Sequence, residues 1–323
     1  MEAIKKVLII RLGTIKDVIH STQTYRSIKR KYPEIEIHYL TTSEPSLLLD
    51  EDSDLTKILT IKKADYKSIF KIAKYLRAEN YDIVLNLEES FKMKLLSKLM
   101  FPKYIVNYKK QTELHKIENF FKTAQTFFKD IELSNKLSLT IPDETINNVM
   151  KLIPPANKLI AISTISNPHE RNQTWNLNYF KELALQLAQK YDAKVLIIGS
   201  HEDKEKLTSF EHLNKNIFVY AGIFNILEKA AIFSQVNLLI STDNDDLHLA
   251  SALNKPVCIG LYGPSSTKRT GIWGLGHYNV KSDLDCAPCK KHSCKLKKEG
   301  YAPCMDAIKV DEIMEIIEVN NLL

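Results

Sequence analysis

Short apolar runs of β-branched character alternate with longer amphipathic stretches throughout this 323-residue chain. Strands that are apolar on both faces, each followed by a helix able to cross back over the sheet, are satisfied by parallel sheets with helices on both sides. The fold class is therefore α/β. Strands are predicted at residues 7–10, 36–40, 57–61, 83–87 and 104–107, with helices at 17–31, 66–79, 89–100 and 114–129 and a further strand at 137–141. After Pro142 an acidic helix start follows, and Pro154-Pro155 then breaks the pattern. The second half has predicted strands at 159–163, 193–198, 217–220, 236–241 and 257–261 and helices at 177–190, 203–213, 223–233 and 310–319. With about 44% apolar residues the chain can bury two ordinary cores, so two Rossmann-like, doubly wound domains are expected, 1–153 and 154–323.

In such sheets ligands bind beyond the carboxyl ends of the strands. Two segments put polar side chains there. The first is Lys6-Val-Leu-Ile-Ile-Arg11-Leu-Gly13-Thr-Ile-Lys16-Asp17-Val-Ile-His20, a strand, a glycine-containing turn and the start of a helix. The second runs from Leu238 to Pro264: an apolar strand, Ser-Thr-Asp243-Asn244-Asp245-Asp246-Leu-His248, a short helix, Pro256, another strand and Gly263-Pro264. Neither first βα turn has the G-x-G-x-x-G pattern, which argues against an NAD-dependent dehydrogenase.

Taken with a cysteine run near the C-terminus, these segments resemble the heptosyltransferase family of glycosyltransferases (glycosyltransferase family 9) over nearly the whole chain. The resemblance implies a GT-B architecture, two Rossmann-like domains facing across a cleft, with an N-terminal acceptor-binding domain and a C-terminal nucleotide-sugar-binding domain. It implies an inverting, metal-independent transferase that moves heptose from ADP-heptose to a lipopolysaccharide or lipooligosaccharide core acceptor, an anionic glycolipid. Asp17 takes the role of general base, removing the proton of the acceptor hydroxyl as that oxygen attacks the anomeric carbon. By position alone Asp17 also suits a helix start, where a carboxylate satisfies backbone N–H groups and the helix dipole. His20 shares its helix face and either orients the carboxylate or contacts the acceptor, or else packs under the strand edge; Lys16 and Arg11 can pair with an anionic acceptor, and Gly13 supplies the turn. Glu88-Glu89 reads either as a carboxylate pair on the acceptor side or as an ordinary acidic helix start.

On the donor side the resemblance implies Asp243 and His248 at the sugar and diphosphate, with Asn244 and Asp245 between them at the helix start; Ser163 and Thr164, at the end of the strand 159–163, can donate hydrogen bonds there. Two departures are physical. Asp245 stands where relatives carry glycine, adding a Cβ and, with Asp246, two carboxylates that would repel a diphosphate by roughly 1 kcal/mol or more each. Gln173 stands two residues before Trp175, where relatives carry lysine; Arg171 or His169 could replace that cation.

The C-x₂-C-x₄-C-x₉-C spacing of Cys286, Cys289, Cys294 and Cys304, in the segment 285–306, suits four thiolates on one tetrahedral metal, Zn or Fe, with His292 as an alternative ligand. The other reading is four reduced thiols in a surface loop. Any metal there is structural, and none is expected for the chemistry.

The formal net charge is +6. Between Lys92 and Lys129 nine lysines face Glu113 and Glu118, with Phe and Tyr interleaved. That run reads either as an attraction to an anionic acceptor or phospholipid surface, and so as peripheral membrane contact, or as solvated helix faces over a Phe-rich core. It lacks a nucleic-acid-binding motif, so no nucleic-acid partner is expected. The apolar start is stopped by Arg11 and no stretch reaches the length of a membrane span, so the expected location is cytoplasmic, at the inner face of the inner membrane. The rival readings are a transferase with another donor or a protein acceptor, and a degenerate family member acting as a binding scaffold.

Overall fold

In the computed structural model, residues 4–62, 64–164, 173–291, 293–296 and 301–323 are described. The chain forms two compact units, Met1–Thr140 and Ile141–Leu323. The first runs β1 (Lys6–Ile10), α1 (Ile15–Lys31), β2 (Glu36–Thr41), α2 (Ser43–Ser46), β3 (Lys57–Thr60), α3 (Tyr66–Arg77), β4 (Ile83–Asn86), α4 (Phe91–Leu99), β5 (Tyr104–Asn107) and α5 (Lys116–Gln125). Its strands form one parallel sheet in the order β3-β2-β1-β4-β5. β1 is central. Val7 and Ile9 point into the core under α1 and α5, while Leu8 and Ile10 point into the core under α3 and α4, and all four are fully buried. Each such side chain contributes about 1.5–3 kcal/mol by burial, so β1 fixes the height at which the residues after Ile10 emerge.

The second unit runs α6 (Asp143–Met150), β6 (Leu159–Ser163), α7 (Leu177–Lys190), β7 (Lys194–Gly199), α8 (Lys204–Leu207), β8 (Ile217–Ala221), α9 (Ile226–Phe233), β9 (Leu238–Thr242), α10 (Asp245–Ser251), β10 (Val257–Tyr262), α11 (Thr267–Thr270), β11 (Tyr278–Lys281), α12 (Pro303–Asp306) and α13 (Val310–Val319). Its parallel sheet has the order β11-β10-β9-β6-β7-β8. Trp175 is buried edge-on to Phe180, with ring centroids 4.8 Å apart, and donates to the Ile308 carbonyl at 3.0 Å, tying the chain before α7 to the C-terminal segment.

Four details differ from the sequence-based expectation. The units divide after Thr140 rather than at 153/154, because α6 packs on α9. Residues 137–141 pair with no strand among the described residues, although Leu137, Leu139 and Ile141 are buried. The helix expected over 203–213 is a single turn, α8, between two 3₁₀ turns. β11 is an edge strand the pattern did not reveal, since Tyr-Asn-Val-Lys carries one buried residue in four. No helix among the described residues is long and apolar enough to cross a membrane.

Candidate active site

The order of a doubly wound sheet reverses direction at its first strand, and the crevice at that reversal is where ligands bind. In the first unit the reversal lies between β1 and β4. Arg11 follows β1, Glu88 follows β4, and Asp17 lies in the first turn of α1. One guanidinium joins them: Arg11 Nη2 is 2.6 Å from Asp17 Oδ2, and Arg11 Nη1 is 3.1 Å from Glu88 Oε1 while donating to the Leu87 carbonyl at 3.0 Å. The Leu12 N–H donates to the same Glu88 oxygen at 2.7 Å. Lys116, at the start of α5, places its Nζ on Asp17 Oδ1. The ring of Phe120 lies under both cations, 5.0 Å from Arg11 Cζ and 6.0 Å from Lys116 Nζ.

Asp17 also closes a capping box. The Thr14 N–H donates to Asp17 Oδ2 at 3.3 Å, and the Asp17 N–H to Thr14 Oγ1 at 3.4 Å. Its carboxylate lies so close to Gly13 that a Cβ there would stand 2.2 Å from Oδ2, so the turn requires glycine. Burial pushes the Asp17 carboxyl up, but Lys116 and Arg11 overcome that and hold it at about 2. Burial pulls Lys116 down, with Asp17 opposing and Arg11 adding to the effect. Because the Asp17 value lies below the ordinary 3.8, its contribution to stability is complete above that value and is lost as pH falls through the folded one.

Of the acceptor-side residues expected from sequence, Arg11, Gly13 and Asp17 come together. Lys16 lies near enough to Lys116 to lower its pKa. His20 is fully buried, its ring 5.6 Å from that of His115, which caps α5 by accepting from the Ile117 N–H at 3.2 Å. His20 is thus a packing residue under α1 rather than one that faces the crevice. Glu88 and Lys116 complete the constellation.

In the second unit the reversal lies between β6 and β9. Asp243 and His248 are both buried, with Asp243 Oδ1 2.8 Å from His248 Nε2 and Asp243 Oδ2 accepting from Thr270 Oγ1 at 3.0 Å. Asn244 caps α10, accepting from the Leu247 N–H at 3.0 Å and donating to Ser241 Oγ at 2.8 Å. Asp246 does not project into the crevice as a free charge. Its side chain is wholly buried, with Oδ2 accepting from Ser163 Oγ at 2.9 Å and Oδ1 2.6 Å from Lys229 Nζ on α9. The expected repulsion from Asp246 is therefore neutralised, and the Ser163 hydroxyl is committed to it. Thr164 is buried and donates to the Ile198 carbonyl at 3.2 Å. Asp245 is half-buried in the first turn of α10, and Gln173 is half-buried with no partner for its buried Oε1 among the described residues. Arg171 and His169 lie outside the described residues.

The metal expectation is not supported. Among the described residues no three His, Cys, Asp or Glu side chains are placed to hold one ion. The four thiols gather loosely: burial pushes Cys304 up to about 11, with Cys289, Cys286 and Cys294 adding to the shift. They lie at different depths, however, Cys286 exposed and Cys304 buried. His292 is outside the described residues. Cys258 is a core residue of β10.

Two all-parallel Rossmann-like domains, each with polar residues at the reversal of its sheet, are the domains of the GT-B fold. The model of "Glycosyltransferase family 9 (heptosyltransferase)" matches residues 69–299, and the chain belongs to that family. Lipopolysaccharide core heptosyltransferase OpsX of Haemophilus influenzae is 24% identical over 291 residues, 83% of this chain and 82% of that one. A family 9 glycosyl transferase from Veillonella parvula superposes with a TM-score of 0.85 at 17% identity, covering 99% of this chain and 98% of that one. The ADP-heptose lps heptosyltransferase II of E. coli superposes with a TM-score of 0.78 at 19% identity, covering 98% of each chain.

Proposed function

We propose that this glycosyltransferase moves heptose from ADP-heptose to a lipopolysaccharide or lipooligosaccharide core acceptor by a single inverting displacement, at the cytoplasmic face of the inner membrane. The observation that carries the reading is the Arg11–Asp17–Lys116 constellation at the reversal of the first sheet. Asp17 removes the acceptor hydroxyl proton, the oxygen forms the new bond to the anomeric carbon from the face opposite ADP, and ADP departs with the electrons of the broken bond. Relatives named for heptosyl transfer to lipopolysaccharide, and one named for ADP-heptose, support the donor and the acceptor.

Held between two cations, Asp17 is a reluctant base. An acceptor bearing carboxylate or phosphate relieves this, because its anion competes for Lys116 and Arg11 and so raises the proton affinity of the carboxylate beside the hydroxyl. The same pairing predicts the effect of Lys116→Met: burial remains while the larger of the two charge effects is lost, so the Asp17 pKa rises. The acid limb of kcat/KM should then move upward by about one pH unit or more. A pH–rate profile of the variant that coincides with the wild type would remove Lys116 from this role.

On the donor side the diphosphate needs a cation where negative charge develops. Lys229 answers that need. It reaches the β6–β9 reversal from α9, is held there by Asp246, and keeps 16% of its side chain exposed. Asp243 orients the β9–α10 turn through His248 and Thr270.

The test is calorimetric titration with ADP, UDP, GDP and CMP, then ADP-heptose. Selective ADP binding at a Kd of about 1 mM or tighter, some −4 kcal/mol, is expected. A preference for another nucleotide would keep the mechanism and discard heptose. Gln173 and Asp245, where relatives carry lysine and glycine, motivate the second reading, a non-catalytic binding scaffold, and silence with every nucleotide would favour it.

A further inference from the structure

Six aromatic side chains are among the exposed large hydrophobic residues, and all six fall between residues 66 and 104 of the first unit. Four of them, Tyr66, Phe70, Phe91 and Phe101, are 52–72% exposed and lie on or beside the neighbouring helices α3 and α4. These helices pack side by side on one core cluster, through Ile69, Ala73 and Leu76 of α3 and Met93 and Leu96 of α4. Two contacts show that they run in the same direction: Lys92 Nζ sits 5.3 Å from the Tyr66 ring at their starts, and Arg77 Cζ 4.4 Å from the Phe101 ring at their ends. Tyr66 and Phe70 are spaced i, i+4 with Lys74 next in the same row, and Lys67 and Lys71 form the row beside it. On α4, Lys94 and Lys98 continue the face begun by Phe91. Neither helix contains an aspartate or glutamate.

An outward face of aromatic rings among lysines, with no acidic residue on either helix, has the composition of a surface that lies in the headgroup layer of an anionic bilayer. There the rings enter the acyl boundary and the ammonium groups meet lipid phosphates. A solvated helix face would show lysines balanced by acids and few exposed rings. The nearby carboxylates lie outside the helices and are partly engaged: Asp65 caps α3, Glu79 pairs with Lys6 and Lys57, and Glu88 pairs with Arg11, while Glu89 is exposed just before α4. The sequence-based patch at 92–129 is thereby redrawn, because Tyr108, Phe120, Phe121 and Phe128 are core residues.

We infer that the α3–α4 face docks the protein on a membrane of anionic phospholipid. Both helices start at the carboxyl edge of the first sheet, and Phe91 follows Glu88 by three residues. The inference deepens the transferase reading by naming the surface from which a lipid-borne acceptor reaches Arg11 and Asp17, but it is tested without turnover. The full-length protein is sedimented with vesicles of phosphatidylglycerol and phosphatidylethanolamine, and with vesicles of phosphatidylcholine alone. Binding to the anionic vesicles, released by 0.5 M salt, is expected. Phe70→Ser/Phe91→Ser and Lys71→Glu/Lys94→Glu should each weaken it by about tenfold or more, with nucleotide titration unchanged. Equal binding to both vesicle types, or wild-type binding by either double variant, would overturn the inference, as would retention on duplex DNA with no vesicle binding. Absence of nucleotide binding alongside intact vesicle binding would count against the transferase reading alone.

Discussion

Replacing Asp17 with asparagine is expected to lower heptosyl transfer by at least about a hundredfold, with KM for the donor little changed. Asparagine keeps the shape of the side chain and can still accept the Thr14 N–H, so the capping box survives in part. What it loses is the acceptor for the proton and the counter-charge of Arg11 and Lys116. Arg11 retains Glu88 and the Leu87 carbonyl. Lys116 loses its counter-charge, and a buried charge stripped of its partner typically costs ~3–5 kcal/mol. Steady-state kinetics with ADP-heptose and a thermal melt at pH 7 check both halves. A variant that transfers at the wild-type rate would exclude Asp17 as the base, and a scaffold would show no transfer in either form.

Much of this constellation was legible in the sequence because it is local. Arg11, Gly13 and Asp17 lie within one strand–turn–helix unit, where the apolar run fixes the strand, the glycine fixes the turn, and the carboxylate falls in the first helical turn. Lys116 was not legible. It comes from a helix ninety-nine residues further on, and in the sequence it was one lysine among nine in a basic stretch. The Phe-rich spacing around it was the usable signal, since Phe120 and Phe121 bury one face of α5 and so direct the helix start toward α1. His20 was open between two readings, beside the base or packed under the strand edge, because the i, i+3 spacing that places it near Asp17 does not say which side of α1 faces the core; the structure buries it. The four-cysteine spacing allowed a metal site but could not establish one, since spacing along the chain does not bring the thiols around one point, and among the described residues no three ligand-type side chains meet at one ion. The two carboxylates after Asn244 looked alike in the sequence and have different fates. Asp246 faces inward onto Ser163, while Asp245, one residue earlier on the helix, remains half-buried.

That inward turn of Asp246 carries the second large expected effect. Lys229→Met leaves a wholly buried carboxylate with the Ser163 hydroxyl as its remaining partner among the described residues, and removing one member of a buried ion pair costs about 3–5 kcal/mol. The variant should therefore melt well below the wild type. Lys229→Met/Asp246→Asn removes both charges and leaves an amide able to bond Ser163, so most of that stability should return. The double variant then separates the two tasks assigned to Lys229. If the ammonium only neutralises Asp246, a refolded double variant binds ADP as the wild type does. If it also meets the diphosphate, ADP binding weakens by about tenfold or more, the scale of one charge-assisted hydrogen bond, while adenosine, which carries no phosphate, binds unchanged. Calorimetry with the two ligands reads the difference directly. Gln173→Lys supplies the complementary gain: a cation restored before Trp175 should tighten ADP in the wild type and recover part of the loss in the double variant, because both positions would serve the same two phosphates.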